Sequence, residues 1–222
     1  MGFRLGFIVF PKITQLDFTG PLQVLTRLPD VEVHIVARSM EPVPSDGVLR
    51  IPPTTTFADC PQLDMLCAPG GGGVADAMID AETVDFIRRQ APGARYVTSV
   101  CTGAFLLGAA GVLKGRRATT HWGYTELLPL VGATHEKARV VRDGNVITAG
   151  GVTSGIDFGF TILAELAGEE AAEAAQLGLE YDPAPPFNSG NPDIATPRAK
   201  AIVGPFYAKM VGIYRERLQS MA

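Results

Sequence analysis

Strand-forming runs alternate with helix-forming runs from the third residue of this chain onward, and that alternation restricts the possible folds more than any other feature. "FRLGFIVF" (3–10), "VEVHIVA" (31–37) and "ARYVTSV" (94–100) are short and apolar, and "LDMLCAPGGGG" (63–73) runs from such a strand into a glycine-rich turn. Strands buried on both faces have this composition. Between them lie "GPLQVLTRL" (20–28), with Pro21 placed for a first helical turn, and the amphipathic "AETVDFIRRQ" (81–90). Strands joined through helices predict a mostly parallel sheet with helices on both faces. The expected fold class is therefore α/β.

The second half is less regular. "RRATTHW" (116–122) contains a short strand, and Asp143-Gly144 within "ARVVRDGNVITAGG" (138–151) sits between alternating apolar residues, a strong hairpin signal. "SGIDFGFTILAELAG" (154–168) and "EEAAEAAQLGL" (169–179) read as two helices divided near Gly168. "DPAPPFNSGNPD" (182–193) cannot continue a helix. Residues 197–221 predict a terminal helix that Pro205 either kinks or delimits. There is no internal repeat, and the 222 residues are expected to form a single domain, 1–222.

A net charge of −4 gives no electrostatic basis for binding nucleic acid. Residues 1–10 lack the pattern of a signal peptide. No apolar run reaches the roughly 20 residues that span a bilayer, so no membrane partner is expected and the expected location is cytoplasmic. The three cysteines, Cys60, Cys67 and Cys101, form neither a disulfide framework nor a CxxC pair. His34, His121 and His135 are too scattered for a local metal site.

Cys101 differs from the other two cysteines in its setting. The strand "ARYVTSV" runs straight into it, and Thr102, Gly103 and Ala104 lead on into a helical pattern. In an open α/β sheet, ligands bind beyond the carboxyl ends of the strands. A side chain on a tight strand-to-helix turn projects there, and the following helix N–H groups favour thiolate. This is the geometry of a nucleophile elbow, although the GxSxG pattern of serine hydrolases is absent. Cys60 and Cys67 read as small buried hydrophobes. Asp17, between Leu16 and Phe18, has two readings from its surroundings alone: a helix cap, or a buried carboxyl whose pKa is raised.

Four segments together resemble the DJ-1/PfpI superfamily over nearly the whole chain: "LGFIVFPKITQLDFTGPLQVL" (5–25), "CAPGGGG" (67–73), "SVCTGAFLLGAAGVLKGRRATTHW" (99–122) and "VITAGGVTSGIDFGFTIL" (146–163). Within it the chain is most similar to the isocyanide hydratase branch, which shares aspartate in the first loop, a Cys-Thr pair at the elbow and a "YDPAPPF"-like segment. Thr102 stands where the protease-like branch has histidine, and related regulators append a helix-turn-helix domain not expected after Ala222.

The resemblance implies a flavodoxin-like sandwich and a reaction without metal or organic cofactor. Cys101 would attack the terminal carbon of an isocyanide while Asp17 supplies a proton. Water would then convert the thioimidate to an N-substituted formamide. Isocyanide and water are the expected partners, and the family expectation is a homodimer. The glycine run could form an anion-binding nest, with Gly72 its implied donor. Thr102 would orient water or substrate, and Val152 would line the cleft with residues 150–153. His121 stays open between an active-site histidine, which some relatives place there, and a structural or cleft-lining residue beside Trp122. Two alternatives remain: a glyoxalase- or deglycase-like enzyme acting on small aldehydes, and a cysteine redox sensor or ligand-binding module.

Overall fold

The computed structural model describes residues 2–221. The chain begins with β1 (Phe3–Ile8), α1 (Gln15–Leu25) and β2 (Val31–Ala37). A small hairpin of β3 (Val43–Pro44) and β4 (Arg50–Ile51) and a short strand β5 (Thr55–Thr56) precede β6 (Met65–Ala68). Next come α2 (Val74–Ala77), α3 (Ala81–Gln90), β7 (Tyr96–Val100) and α4 (Ala104–Ala109). β8 (Arg117–Ala118) and β9 (Thr134–His135) pair beside the main sheet, flanking a 3-10 helix over Trp122–Val131. The hairpin of β10 (Val140–Asp143) and β11 (Val146–Ala149) leads to α5 (Ser154–Ala167), α6 (Glu169–Gly178) and α7 (Pro197–Ser220).

Seven strands form the central sheet in the order β10-β11-β7-β6-β1-β2-β5, parallel throughout except for β10. From β1 the chain moves one way to β2, then returns to build β6, β7 and β11 on the other side. Because crossovers between parallel strands are right-handed, this reversal puts helices on both faces. It also opens a crevice beyond the carboxyl ends of β1, β6 and β7. The expected flavodoxin-like α/β fold is the observed one.

β6 and β7 are buried along their whole length, which their apolar residues permit. Phe18 on α1 meets Phe7 on β1 edge-to-face with ring centroids 5.2 Å apart, and this pair seats the first turn of α1 against the sheet. α1 packs in turn on α5, so closely that a Cβ at Gly159 would lie 2.9 Å from the Val24 Cβ. Asp80 caps α3 by accepting from the Thr83 N–H at 3.0 Å, and Thr196 caps α7 in the same way.

Two proline expectations need correction. α1 starts at Gln15, so Pro21 lies inside it rather than in its first turn, and Asp17 is on the helix rather than in a loop. Pro21 removes the hydrogen bond that the Asp17 carbonyl would accept, a cost offset by burial of Phe18, Val24 and Leu25 on the same helix. Pro205 does not delimit α7, which continues through it from Pro197 to Ser220. Elsewhere the expected punctuation holds. Gly144 turns the β10–β11 hairpin at φ 64°, Gly168 divides α5 from α6 at φ 92°, and residues 182–193 contain no helix or strand.

Candidate active site

Cys101 starts a 3-10 turn (Cys101–Gly103) between β7 and α4, and its φ of 57° lies in the left-handed region that residues with a Cβ avoid. Such a conformation costs on the order of 1–2 kcal/mol and persists only when neighbours hold it. Here the hold is double. The Cys101 N–H donates to the Gly150 carbonyl at 2.8 Å, beyond the end of β11, and the Thr120 hydroxyl donates to the Cys101 carbonyl at 2.8 Å. A buried polar side chain and an adjacent strand together fix the elbow.

Asp17 faces this elbow from the first turn of α1. Its side chain is fully buried, and Oδ2 accepts the Gly70 N–H at 2.9 Å. A Cβ placed on Gly70 would lie 2.6 Å from Asp17 Oδ2, 2.7 Å from the Thr102 nitrogen and 2.8 Å from the Cys101 Cβ. One glycine thus occupies the point where carboxylate, nucleophile and elbow backbone converge, and only glycine fits. Burial raises the Asp17 pKa to about 7, the Cys101 thiol and the Gly70 N–H lower it in part, and the charge of Asp46 raises it further. Oδ1 has no hydrogen-bond partner of good geometry among the described residues. A buried carboxyl oxygen left open in this way is available to a proton or a water.

Burial also drives the Cys101 thiol well above its ordinary value, and the Asp17 charge adds to that, while the Thr102 N–H opposes it. Desolvation and the Asp17 charge thus oppose the preference for thiolate expected from the helix N–H groups, of which the Thr102 N–H acts in the expected sense. The two groups face each other as a coupled pair, whose protons are lost in steps that belong to the pair rather than to either residue. Cys67, fully buried, is pushed up to about 12 and half-buried Cys60 to about 11, chiefly by burial, and neither stands at the strand-to-helix elbow.

Thr102 is buried, and its hydroxyl accepts the Gly71 N–H at 3.0 Å. Tyr214, fully buried on α7, donates to the Gly71 carbonyl at 3.0 Å. These two side chains clamp the turn whose Gly70 meets Asp17. Gly72 is exposed, and a Cβ there would meet nothing within 4 Å, so the donor that this run turns toward Asp17 is Gly70. Val152 is half-buried in the turn after β11.

An aromatic wall completes the crevice. His121, next to Thr120, packs so that a Cβ on Gly151 would lie 3.0 Å from its Cδ2. Tyr207 stacks on His121 with centroids 5.0 Å apart, and Trp122 and Tyr124 meet Tyr207 edge-to-face at 4.8 and 5.9 Å. The Cys101 charge contributes to raising both Tyr124 and Tyr207, after burial. Burial lowers the His121 pKa to about 4, so the ring is neutral at physiological pH. The structure thus puts His121 in the cleft wall. Sequence reasoning singled out Gly72 in the run where Gly70 is the donor, and it missed Thr120, Tyr124, Tyr207 and Tyr214. For the last two a signal existed: they lie seven residues apart, on one face of α7.

A cysteine at a strained strand-to-helix turn, opposite a buried carboxyl at the switch point of a parallel sheet, defines a class of α/β proteins built around a nucleophile elbow. A DJ-1/PfpI family model matches residues 4–165, and the chain belongs to that family. Isonitrile hydratase from Pseudomonas putida is 58% identical over 195 residues, covering 88% of this chain and 86% of that protein. A THiJ/PfpI family protein from Pseudomonas syringae superposes with a TM-score of 0.96 at 42% identity, covering 98% of this chain and 91% of the other. Drosophila melanogaster DJ-1beta superposes less fully, with a TM-score of 0.69 at 27% identity, covering 81% and 98% respectively.

Proposed function

We propose that this protein is an isocyanide hydratase that converts R–N≡C to the formamide R–NH–CHO through Cys101 and Asp17. The observation that carries this reading is the burial of Asp17, which raises its pKa to about 7 beside the Cys101 thiol. A general acid/base works best when its pKa lies near the operating pH. The high identity to the Pseudomonas putida isonitrile hydratase supports the same reading.

The atoms balance with the one proton that the pair shares. Cys101 Sγ bonds to the terminal carbon while that proton passes through Asp17 to the same carbon, giving the thioimidate R–N=CH–S. Water then adds to this carbon, and one of its protons passes through the Asp17 carboxylate to nitrogen. Collapse of the tetrahedral intermediate breaks the C–S bond, releases the formamide and returns a proton to the pair. Thr102 and the Gly70–Gly71 turn keep the two groups facing each other, and Val152 lines the crevice. No step draws on a metal or an organic cofactor.

A homodimer is the expected state, and three free cysteines accord with a cytoplasmic location. Among the described residues no helix is long and apolar enough to cross a membrane. The test is to incubate the protein with a simple aryl or alkyl isocyanide and assay formamide by mass spectrometry. Wild-type protein is expected to turn over, and Cys101→Ala and Asp17→Ala to lose at least about 1000-fold. Absence of formamide from wild-type protein across several isocyanides would sink the reading.

A further inference from the structure

Hydrating the thioimidate requires nitrogen to gain electron density as water adds to its carbon, and Asp17 must first take the water's proton before it can pass one to nitrogen. We propose that Tyr207 is a further catalytic residue, whose phenol donates a hydrogen bond to the substrate nitrogen during hydration of the Cys101 thioimidate. The proposal rests on the hydratase reading and assigns a group that steadies nitrogen until Asp17 delivers its proton. Only a hydrogen bond is involved: the phenol keeps its proton, and the proton that ends on nitrogen comes from water.

The hydrogen bonds of His121 fix the direction of the Tyr207 proton. His121 Nδ1 accepts the Gly123 N–H at 3.2 Å, so that nitrogen carries no proton. In a neutral imidazole the proton must then sit on Nε2. Nε2 lies 3.3 Å from Tyr207 Oη, and His121 is therefore the donor in that contact. The phenol oxygen accepts from a fixed partner, and its own proton has no acceptor among the described residues. Burial, with the Cys101 charge second, raises the Tyr207 pKa, so the phenol stays protonated and able to donate.

Position points the same way. Thr120 holds the Cys101 carbonyl, His121 follows it in sequence and packs on Gly151, and Gly150 accepts the Cys101 N–H. Tyr207 stacks on that same His121 ring. Gly123 permits the stack, because a Cβ there would lie 2.9 Å from Tyr207 Cδ1. A donor already held in place, as the His121 stack holds this one, needs no reorganisation when charge develops.

Tyr207→Phe keeps the ring stack and removes only the donor. With an isocyanide that wild-type protein converts, this variant is expected to turn over about 100-fold more slowly. It should also accumulate the Cys101–isocyanide adduct in intact-mass spectra, because capture proceeds while release is slowed. His121→Phe, which removes the partner that orients the phenol, is expected to shift both readouts in the same direction. Turnover within about twofold of wild type in either variant overturns the proposal, as does lost turnover without adduct. Wild-type protein that forms no formamide overturns the hydratase reading itself, a separate result.

Discussion

Asp17 ties catalysis to pH-dependent stability. Its folded-state pKa of about 7 lies above the ordinary 3.8, so the folded protein binds this proton more tightly than the unfolded chain. The stabilisation is complete below about pH 3.8 and is lost as pH rises through about 7. Fully buried, the group contributes on the order of 4 kcal/mol across that window. Asp17→Asn removes the titration, so its denaturant midpoint, followed from pH 4 to 8, is expected to decline less steeply than that of wild type. Parallel slopes would show that Asp17 does not titrate there. Cys101 was legible because a strand-forming run ends on it and small residues follow. Asp17 was legible only through the family resemblance, because its own surroundings do not reveal that α1 begins early enough to bury it. The glycine run announced a close approach without telling which of its members makes it, a question settled by the φ of 132° at Gly71, which turns Gly70 inward and Gly72 out.

At the level of elements, α7 reaches into the site from the far end of the chain. Tyr214 spans from that helix to the Gly71 carbonyl, and Thr102 holds the Gly71 N–H. Tyr214→Phe removes the shorter of two hydroxyl contacts to that partly buried carbonyl, the Thr102 hydroxyl standing at 3.4 Å, and is expected to cost about 1 kcal/mol of stability. It should also slow capture of isocyanide at Cys101, because the turn that positions Gly70 loosens. Chemical denaturation and single-turnover mass spectrometry would separate the two effects, and an unchanged capture rate would restrict Tyr214 to a structural role. The strands β1, β2, β6 and β7, the β10–β11 hairpin, the break at Gly168 and the span of α7 were readable from periodicity and turn residues, whereas the two-residue β5 at the edge of the sheet was not. The extent of α1 was not either, since a proline argues locally against helix while tertiary burial that no local window contains offsets its cost.

For the molecule as a whole, the apolar residues left uncovered on α7 bear on its assembly. Ile202 is 71% exposed and Phe206 60%, and they stand one turn apart on the same face with Val203 beside them. Three such neighbours on one helix are more than the scattered exposure normal for a monomer. If this face joins two copies, the double substitution Ile202→Ser and Phe206→Ser is expected to shift the protein from dimer to monomer in sedimentation velocity. An unchanged coefficient would place any interface elsewhere.

The order of the central sheet has a consequence for how the protein could be watched as it forms. Asp17 and Cys101 follow β1 and β7, which never touch each other and are joined only through β6. Until those three strands are in register, no proton donor stands beside the thiol. Such distant pairings are the slow events of refolding. Covalent capture of an isocyanide, sampled along a refolding time course, would therefore act as a clock for closure of the sheet, with the protein's own chemistry as the reporter.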